Sequence, residues 1–353
     1  MQGFAPPGVA LLASRRMWAS TRGKGAVVAI IDTGVDYNHP DLAPNMIGGV
    51  SMVSGVKDYM DDNGHGTHVA GTIGANGKLL GVAPECKMLA IKVLNADGSG
   101  TIGDINRGLA WARDWRGPNG ERVDVINMSL GGPLPHPTLH AEVIKTVEQG
   151  IVVVCAAGNA GDGDPNTDEV SYPAYYPETI AVGAIDLATG IANFSNSNES
   201  INVVAPGVET YSTYPGNRYV KLSGTSMAAP HISGAAALIC SRWKQRFGSN
   251  PDAQTVKHII DYQAIDLGAA GYDHLYGFGL FSFDPAGGKA IRVKIGERRY
   301  LVNNKEYYFV EAPFYQGKSA CADIREICDM LCTDNRWAEK ANSTGNDILE
   351  IWC

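Results

Sequence analysis

The segment SGTSMAAPH at residues 223–231 places a serine, Ser226, among small residues and shortly before the apolar residues 237–239. This pattern predicts a helix with Ser226 in its first turn. Helix N-termini favour negative charge, so a serine there is suited to act as a nucleophile or to lie beside an oxyanion. Ala228 replaces the last glycine of the Gly-x-Ser-x-Gly elbow of α/β-hydrolases, so the segment is not that motif. Alone, Ser226 could equally be an ordinary N-cap serine.

Three further segments carry a polar side chain beside apolar or small residues. Asp32 follows an apolar run, and Asn159 follows the apolar segment VVCAAG. His65 lies in the segment NGHGTHVAGT at residues 63–72. In isolation these residues would be a cap or turn aspartate, a turn amide and a packed or surface histidine. An asparagine in such a turn can donate to an oxyanion, and the four segments together, in the order Asp, His, Asn, Ser, are not expected by chance.

Apolar runs rich in β-branched residues alternate with segments of helical spacing. We predict strands at Ala26–Ile31, Met88–Leu94, Val123–Met128, Ile151–Ala156 and Thr179–Ala184. Helical spacing between them predicts helices over residues 102–112 and 139–147. Continuous apolar strands that alternate with helices indicate an α/β fold with a mainly parallel sheet between two layers of helices. In such sheets the functional side chains gather where the strands end.

Composition excludes several classes of protein. The chain has 353 residues, 44% hydrophobic and 19% charged, with a formal net charge of −8. This composition excludes a disordered protein, and the absence of a basic block argues against nucleic-acid or anionic-membrane partners. Apolar runs are too short to span a membrane. Arg15 and Arg16 follow an apolar stretch instead of preceding it, so no signal peptide can be identified. We expect a cytoplasmic protein, with a secreted mature form whose leader was removed as the alternative.

Neither the histidines nor the cysteines match a zinc motif. His68 follows His65 by three residues, whereas metalloprotease helices space their histidines by four with a glutamate between, so we expect His68 to pack structurally. Four C-terminal cysteines have none of the usual zinc spacings: Cys321, Cys328, Cys332 and Cys353. The others lie in apolar surroundings and are predicted to be buried thiols in a reducing compartment: Cys86, Cys155 and Cys240.

The pattern of apolar and polar residues changes at residue 289. Four segments have the pattern of strands: the alternating residues from Ile291, Tyr300–Val302, Tyr307–Val310 and the final Ile348–Trp352. A helix is expected at Ser319–Leu331. Several cysteines fall on one face of that helix, which favours a core over a metal site. We therefore divide the chain into an N-terminal segment (1–25), a catalytic domain (26–288) and a small α+β module (289–353).

The segments around Asp32, His65 and Ser226 resemble those of the subtilisin-like serine proteases, the subtilases, over roughly residues 8–285. The Asp…His…Ser order is the one known for that family. Residues 153–164, with the sequence VVCAAGNAGDGD, resemble the intracellular subtilisins in particular. The resemblance implies a three-layer subtilisin-like fold and a serine endopeptidase acting on polypeptides. Intracellular members are commonly dimers, so it also implies a homodimer.

Carried over residue by residue, the resemblance makes Ser226 the nucleophile, His65 the general base and Asp32 its orienting partner. Asn159 and the Ser226 N–H would form the oxyanion hole. Family geometry binds the substrate as an extended strand between two backbone segments, Gly98-Ser99-Gly100 and Ser129-Leu130-Gly131, which implies broad specificity. The pocket for the residue before the cut would be lined by Ala156, Ala157, Gly158 and Ser171. Because these side chains are small, we expect a large apolar residue there.

Two acidic features suggest calcium. In many subtilases an aspartate near the N-terminus and a loop after the histidine helix hold this ion, and Asp41 matches that aspartate. The corresponding loop here, residues 73–80, is shorter than usual, and Lys78 within it would repel a cation. A second cluster supplies oxygen ligands near the substrate pocket: Asp162, Asp164, Asp168 and Glu169. We expect structural calcium there, with a solvated acidic loop as the alternative.

Three further points concern the two ends of the chain and the reaction that it carries out. The C-terminal module resembles the N-terminal-like (stalk) domain of copper amine oxidases, through the pattern Ile291-x-Val293-x-Ile295-Gly296 and the later Ala312-Pro313, although it carries no copper ligand set. Intracellular subtilisins usually begin with an extension that contains Leu-Ile-Pro-Tyr, which is not found before Met17, so we expect a processed form or different regulation. The alternatives to an endopeptidase are a subtilase-fold peptide-binding or regulatory protein and a transpeptidase.

Overall fold

The computed structural model describes residues 3–284 and, beyond them, the backbone of seven strands between residues 290 and 352. The chain divides into two compact units, Met1–Phe283 and Asp284–Cys353. The boundary therefore lies five residues before the one predicted at 288, and the N-terminal 25 residues belong to the first unit.

The first unit contains a nine-stranded sheet and a separate hairpin. The bounds are β1 Val27–Asp32, β2 Met46–Ser51, β3 Lys87–Lys92, β4 Val125–Met128, β5 Val152–Ala156, β6 Ile180–Ile185, β7 Ile201–Pro206, β8 Thr210–Tyr214, β9 Arg218–Leu222, β10 Ala264–Ile265 and β11 Leu280–Phe281. The strand order is β10-β11-β7-β6-β5-β4-β1-β3-β2, and β8 and β9 form the hairpin. All neighbours in the sheet are parallel except β10 and β11. All five predicted strands are confirmed to within two residues at either end.

Helices cover both faces of this sheet. They are α1 Pro7–Leu11, α2 Ser14–Trp18, α3 His65–Gly74, α4 Ile102–Asp114, α5 Pro137–Glu148, α6 Thr225–Phe247 and α7 Ala253–Tyr262. Alternate β1 residues such as Ala29 and Ile31 pack in one cluster with Leu109 of α4 and Val143 of α5. Successive strand residues point to opposite faces, so the equally buried Ile30 faces the other layer, where α3 and α6 lie. The predicted three-layer α/β arrangement is confirmed.

The sheet brings the predicted site together because its strands are parallel. Asp32 is the last residue of β1, and Asn159 follows the end of β5, two strands away. The carboxyl ends of parallel strands lie along one edge of a sheet. The helices α3 and α6, which pack against each other, begin at His65 and Thr225. Four distant sequence segments therefore meet at one edge.

Two properties of the first unit concern the burial of its cysteines and the length of its helices. Cys86, Cys155 and Cys240 are free and buried, as predicted. Burial raises the pKa of the Cys86 thiol to about 12, so it is an unreactive core side chain at neutral pH. Within the described part of the chain, every helix is too short or too polar to cross a membrane.

The second unit contains a five-stranded antiparallel sheet of order β14-β13-β12-β18-β17. The bounds are β12 Ala290–Lys294, β13 Arg299–Val302, β14 Lys305–Tyr308, β15 Tyr315–Gln316, β16 Ser319–Ala320, β17 Ala338–Ala341 and β18 Ile348–Trp352. The predicted strands at Tyr300–Val302 and Ile348–Trp352 are confirmed, and those from Ile291 and from Tyr307 are confirmed up to Lys294 and Tyr308, beyond which they lie outside the described residues. The predicted helix is wrong at its first two residues, because Ser319 and Ala320 pair with Gln316 and Tyr315. Its remainder, residues 321–331, lies outside the described residues.

Candidate active site

Asp32 and His65 form a hydrogen-bonded pair at the start of α3. Asp32 is fully buried, and its Oδ1 accepts a hydrogen bond from Nδ1 of His65 at 2.8 Å. The same oxygen accepts the backbone N–H of Thr33 at 2.7 Å. A carboxylate can only accept, so Nδ1 carries the proton and Nε2 is left as the basic nitrogen. The imidazole is 27% exposed and lines the cleft, where it can take a proton from a substrate or a nucleophile.

The surroundings of His65 shift its pKa upward. Burial alone lowers the pKa, but the charge of Asp32, its hydrogen bond and the charge of Asp61 outweigh burial and leave the pKa raised above 6.5. His68 lies three residues further along α3 and is completely buried, with Nε2 bonded to the Thr210 carbonyl at 2.9 Å. Burial lowers the pKa of His68 to about 4, so it is neutral and structural, as predicted.

The backbone before His65 takes a conformation that requires glycine. Gly64 is the N-cap of α3 and has φ 112°. A Cβ at this position would lie 2.3 Å from the ring of Tyr214. The Tyr214 hydroxyl donates to the Asn63 carbonyl at 3.0 Å. The β8–β9 hairpin therefore packs directly on the turn that presents His65.

Ser226 lies in the first turn of α6 and is half-buried. Its hydroxyl donates to the Ser129 carbonyl at 3.2 Å, and the Ser129 hydroxyl donates to the Ser226 carbonyl at 2.9 Å. These reciprocal bonds hold the start of α6 against the segment after β4. The N–H of Ser226 belongs to the first turn of the helix, where backbone donors have no partner within the helix.

The amide of Asn159 is oriented by its neighbour in α6. Its Oδ1 accepts the backbone N–H of Thr225 at 2.8 Å and the Thr225 hydroxyl at 3.0 Å. Since an N–H can only donate, the amide atom that faces Thr225 must be the oxygen. The NH₂ group is therefore available to a ligand in the cleft. Gly158, with φ 109°, leaves no room for a Cβ, which would lie 2.3 Å from Asn196.

Two cavities flank these side chains. The smaller has a volume of ≈ 320 Å³ and reaches Ser226 and Asn159; the larger, of ≈ 650 Å³, reaches His65. The smaller is lined by five of the predicted substrate residues: Leu130, Gly131, Ala156, Gly158 and Ser171. The larger is lined by six: Gly98, Ser99, Gly100, Ser129, Leu130 and Gly131. Nine of the ten predicted residues therefore lie along one cleft.

The tenth predicted residue, Ala157, does not line either cavity. It is 1% exposed, and its N–H donates to the Val182 carbonyl at 3.0 Å, which extends the pairing of β5 with β6. Successive residues of extended backbone point to opposite faces. Ala156 and Gly158 therefore face the cavity while Ala157 faces the core, and the prediction for Ala157 is corrected.

Several residues of the larger cavity were not predicted. Its apolar wall includes Leu94, Ile102, Ile105, Leu134, Leu139 and Tyr172. The helical spacing of Ile102, Ile105 and Leu139 predicts only a helix face that packs on the sheet. Spacing does not distinguish a side chain buried under a helix from one at its end that borders a cleft. Leu134, in this wall, is 66% exposed.

The environment of Asp41 does not suit a cation. Its Oδ1 accepts the N–H of Lys78 at 2.8 Å, and its Oδ2 accepts the N–H of Leu79 and the hydroxyl of Tyr219 at 2.8 and 2.9 Å. The Lys78 ammonium lies 5.2 Å from the centre of the Tyr219 ring. The carboxylate is therefore occupied by donors from the loop, and a positive charge is already close by.

The second acidic cluster is also not assembled as a set of ligands. Asp162 accepts the N–H of Asp164, and Asp164 accepts the N–H of Asn166. Asp168 lies 3.5 Å from Nδ1 of His274 instead. Among the described residues, no three His, Cys, Asp or Glu side chains are grouped so that they could hold a metal ion. Calcium remains a prediction without support from this geometry.

Comparison with known proteins identifies the family. The model of the subtilase family matches residues 23–279, which is most of the chain. The chain belongs to the subtilase family. The match ends before the second unit, so the resemblance of that unit to a copper-amine-oxidase stalk domain stays a prediction.

Several curated relatives are close to this subtilase. The major intracellular serine protease of Bacillus subtilis (strain 168) is 48% identical over 251 residues, 69% of this chain and 77% of the relative. The intracellular serine protease of Paenibacillus polymyxa is 49% identical over 242 residues, 66% of this chain and 72% of the relative. Subtilisin DY of Bacillus licheniformis is 46% identical over 286 residues, 80% of this chain and 98% of the relative.

Proposed function

We propose that this subtilase hydrolyses peptide bonds with Asp32, His65 and Ser226 as its catalytic triad. Membership of the family, with relatives named serine proteases, makes the chain a serine endopeptidase that acts on polypeptides. The observation that carries the residue assignment is the 2.8 Å bond between Asp32 and His65 in a cleft that also holds Ser226 and the free amide of Asn159.

The geometry supports acyl transfer in two stages. In the first, Ser226 Oγ turns from the Ser129 carbonyl, gives its proton to Nε2 of His65 and attacks the peptide carbonyl. Asp32 stabilises the imidazolium that forms. His65 then gives the proton to the leaving amine, and an ester on Ser226 remains. In the second stage water loses a proton to His65 and attacks the ester. His65 then gives this proton to Ser226 Oγ as the acid leaves, which restores the Ser226 hydroxyl and the neutral imidazole.

The oxyanion of each tetrahedral intermediate would lie between two donors. One is the Asn159 NH₂ group, whose orientation is fixed by the two bonds from Thr225 to the amide oxygen. The other is the Ser226 N–H at the positive end of α6. Donors that are already oriented need no reorganisation when the charge develops, which makes this kind of stabilisation effective.

Covalent labelling tests the assignment. We expect intact-mass measurement after incubation with a fluorophosphonate to show one adduct on the wild type and none on Ser226→Ala, because only an activated serine beside an oxyanion hole reacts quickly. Peptide hydrolysis by the labelled protein should be lost in proportion to the adduct. A folded wild type that takes up no adduct, or an adduct retained by Ser226→Ala, would contradict the assignment.

The smaller cavity supports a preference for a large apolar residue before the cut. Its volume of ≈ 320 Å³ and its lining by Gly131, Ala156, Gly158 and Val170 leave space that an apolar side chain would fill. We expect tetrapeptide substrates with Phe or Leu at that position to have a higher kcat/KM than those with Ala, Asp or Lys. Preference for Ala or for a charged residue would refute this specificity.

We extend the proposal to cellular location and assembly. The resemblance to intracellular subtilisins and the three buried free thiols support a protein that acts in the cytoplasm as a homodimer. Analytical ultracentrifugation of the full chain tests the dimer, and a single species with the mass of one chain at micromolar concentration would exclude it.

A further inference from the structure

A second buried carboxylate, Asp61, lies beside the Asp32–His65 pair. It is 5% exposed. Its Oδ1 accepts the Thr33 hydroxyl at 2.8 Å, the Gly64 N–H at 2.8 Å and the Asn63 N–H at 3.0 Å. Its Oδ2 accepts the N–H and the hydroxyl of Thr67 at 2.9 and 2.6 Å. One carboxylate thus receives five hydrogen bonds.

The hydrogen bonds of Asp61 connect the two segments that carry Asp32 and His65. Thr33 directly follows Asp32, and its N–H donates to the Asp32 carboxylate at 2.7 Å. The Thr33 hydroxyl also accepts the N–H of Gly66, the residue after His65, at 2.9 Å. Thr67 lies in the first turn of α3. The end of β1 and the start of α3, which carry Asp32 and His65, are therefore held by the same carboxylate.

The donors around Asp61 require an acceptor on both of its oxygens. An ionised carboxylate offers about four acceptor sites, whereas an asparagine offers one acceptor oxygen and an NH₂ group that only donates. An asparagine would therefore direct its NH₂ group at donors on one side, either Thr67 or Gly64. A buried donor that is left without an acceptor loses its hydration without compensation, which is unfavourable.

We propose that Asp61 is a positioning residue for His65, one that fixes the imidazole against Asp32 and favours the imidazolium formed during acylation. This inference rests on the proposed triad. Geometry carries the first part, because α3 starts at His65 and its first turn is bonded to Asp61. Electrostatics supports the second, since the charge of Asp61 is among the interactions that raise the pKa of His65.

The substitution Asp61→Asn tests the proposal against a matched control. Asp252 is the N-cap of α7 and accepts the N–H and hydroxyl of Thr255 at 2.7 and 2.8 Å, the same pair of bonds that Thr67 gives to Asp61. We expect Asp61→Asn to lower kcat by about tenfold to a hundredfold, the cost of a small misplacement of a reacting group, with little change in KM. The acid limb of its kcat/KM profile should move to lower pH. Asp252→Asn should leave kcat, KM and the acid limb unchanged.

Each outcome decides the proposal. If Asp61→Asn lowers the melting temperature but keeps wild-type kcat and acid limb, Asp61 is only a helix cap and the proposal fails. If that variant does not fold, Thr33→Val and Thr33→Ser decide instead: loss of kcat in the valine variant with retention in the serine variant supports the proposal, and equal kcat overturns it. Failure of the wild type to react with fluorophosphonate would instead remove the proposed triad, a result that is distinct from any difference between these variants.

Discussion

The two sides of the cleft are built from different kinds of polar group. On the side of His65, two buried carboxylates, Asp32 and Asp61, lie within hydrogen-bonding distance of the imidazole or of the backbone next to it. On the side of Ser226, the groups are neutral, namely the Asn159 amide and the Thr225 hydroxyl. In the proposed acylation, positive charge develops on the imidazole and negative charge on the substrate oxygen. Each side therefore carries the polarity that stabilises the charge formed there.

The same contrast appears between two histidines. His65 lies at the start of α3 with Asp32, and its pKa is raised above 6.5. His231 lies in α6, five residues after Ser226, and its Nδ1 bonds to the Met227 carbonyl at 2.9 Å. Burial lowers the pKa of His231 to about 4. Burial lowers the pKa of both imidazoles. The carboxylates near His65 therefore account for the opposite directions in which the two pKa values are shifted.

The largest expected effect follows from placing a carboxylate on the neutral side. Asn159→Asp keeps an oxygen for the two Thr225 donors but replaces the NH₂ group with a charged acceptor. We expect kcat to fall by at least about 10²–10³, as for loss of an oxyanion donor, with a small change in KM because the ground-state carbonyl carries little charge. Steady-state kinetics on one apolar tetrapeptide substrate measures both parameters.

The pair Thr225→Val and Thr225→Ser controls for the orientation of that amide. Valine removes one of the two bonds to the Asn159 oxygen and leaves the Gly158 N–H, now 3.1 Å from the Thr225 hydroxyl, without its acceptor. We expect a fall in kcat of about tenfold, corresponding to roughly 1.4 kcal/mol, while serine keeps wild-type kcat. If Asn159→Asp retains kcat within a few-fold, the amide is not an oxyanion donor.

The sequence identifies the residues of the proposed triad and oxyanion hole more readily than the groups that support them. Asp32, His65, Asn159 and Ser226 each belong to a recognisable segment, and the parallel sheet that unites them follows from apolar runs. Asp61 was not predicted, because the adjacent Asp62 is identical in type and local sequence does not reveal which of the two is buried. Asp62 is 46% exposed and pairs with the buried Lys92, while Asp61 faces Thr33 and Thr67.

The periodicity of the sequence does not predict which side chains line the cleft. Ala157 was predicted to line the pocket together with its neighbours, but β5 pairing continues through it and turns its side chain to the core. Ile102 and Ile105 were assigned to a helix, correctly, but that assignment did not indicate that the same apolar face borders the larger cavity. Both outcomes depend on which elements are neighbours in space, and a single sequence does not specify this.

The dependence on pH separates the two kinds of histidine. His65 must be neutral to accept a proton, so kcat/KM should fall on the acid side with an apparent pKa above 6.5. His68 and His231 have folded-state pKa values of about 4, below the ordinary 6.5. The unfolded chain therefore binds more protons between pH 6.5 and 4, and stability falls as the pH falls through this window.

Activity and melting temperature, measured on one sample as a function of pH, check this separation between His65 and the two buried histidines. Each pKa unit corresponds to about 1.4 kcal/mol, so full protonation of the unfolded state below pH 4 costs on the order of 3 kcal/mol for each of the two structural histidines. His65 contributes in the opposite sense, since its raised pKa adds stability below pH 6.5 that is lost as the pH rises through the folded-state value. We expect activity to decline first as the sample is acidified, while the melting temperature declines mainly below pH 6.5. If activity and melting temperature instead fall together with one midpoint, inactivation is unfolding, and the carboxylates around His65 do not set the acid limb.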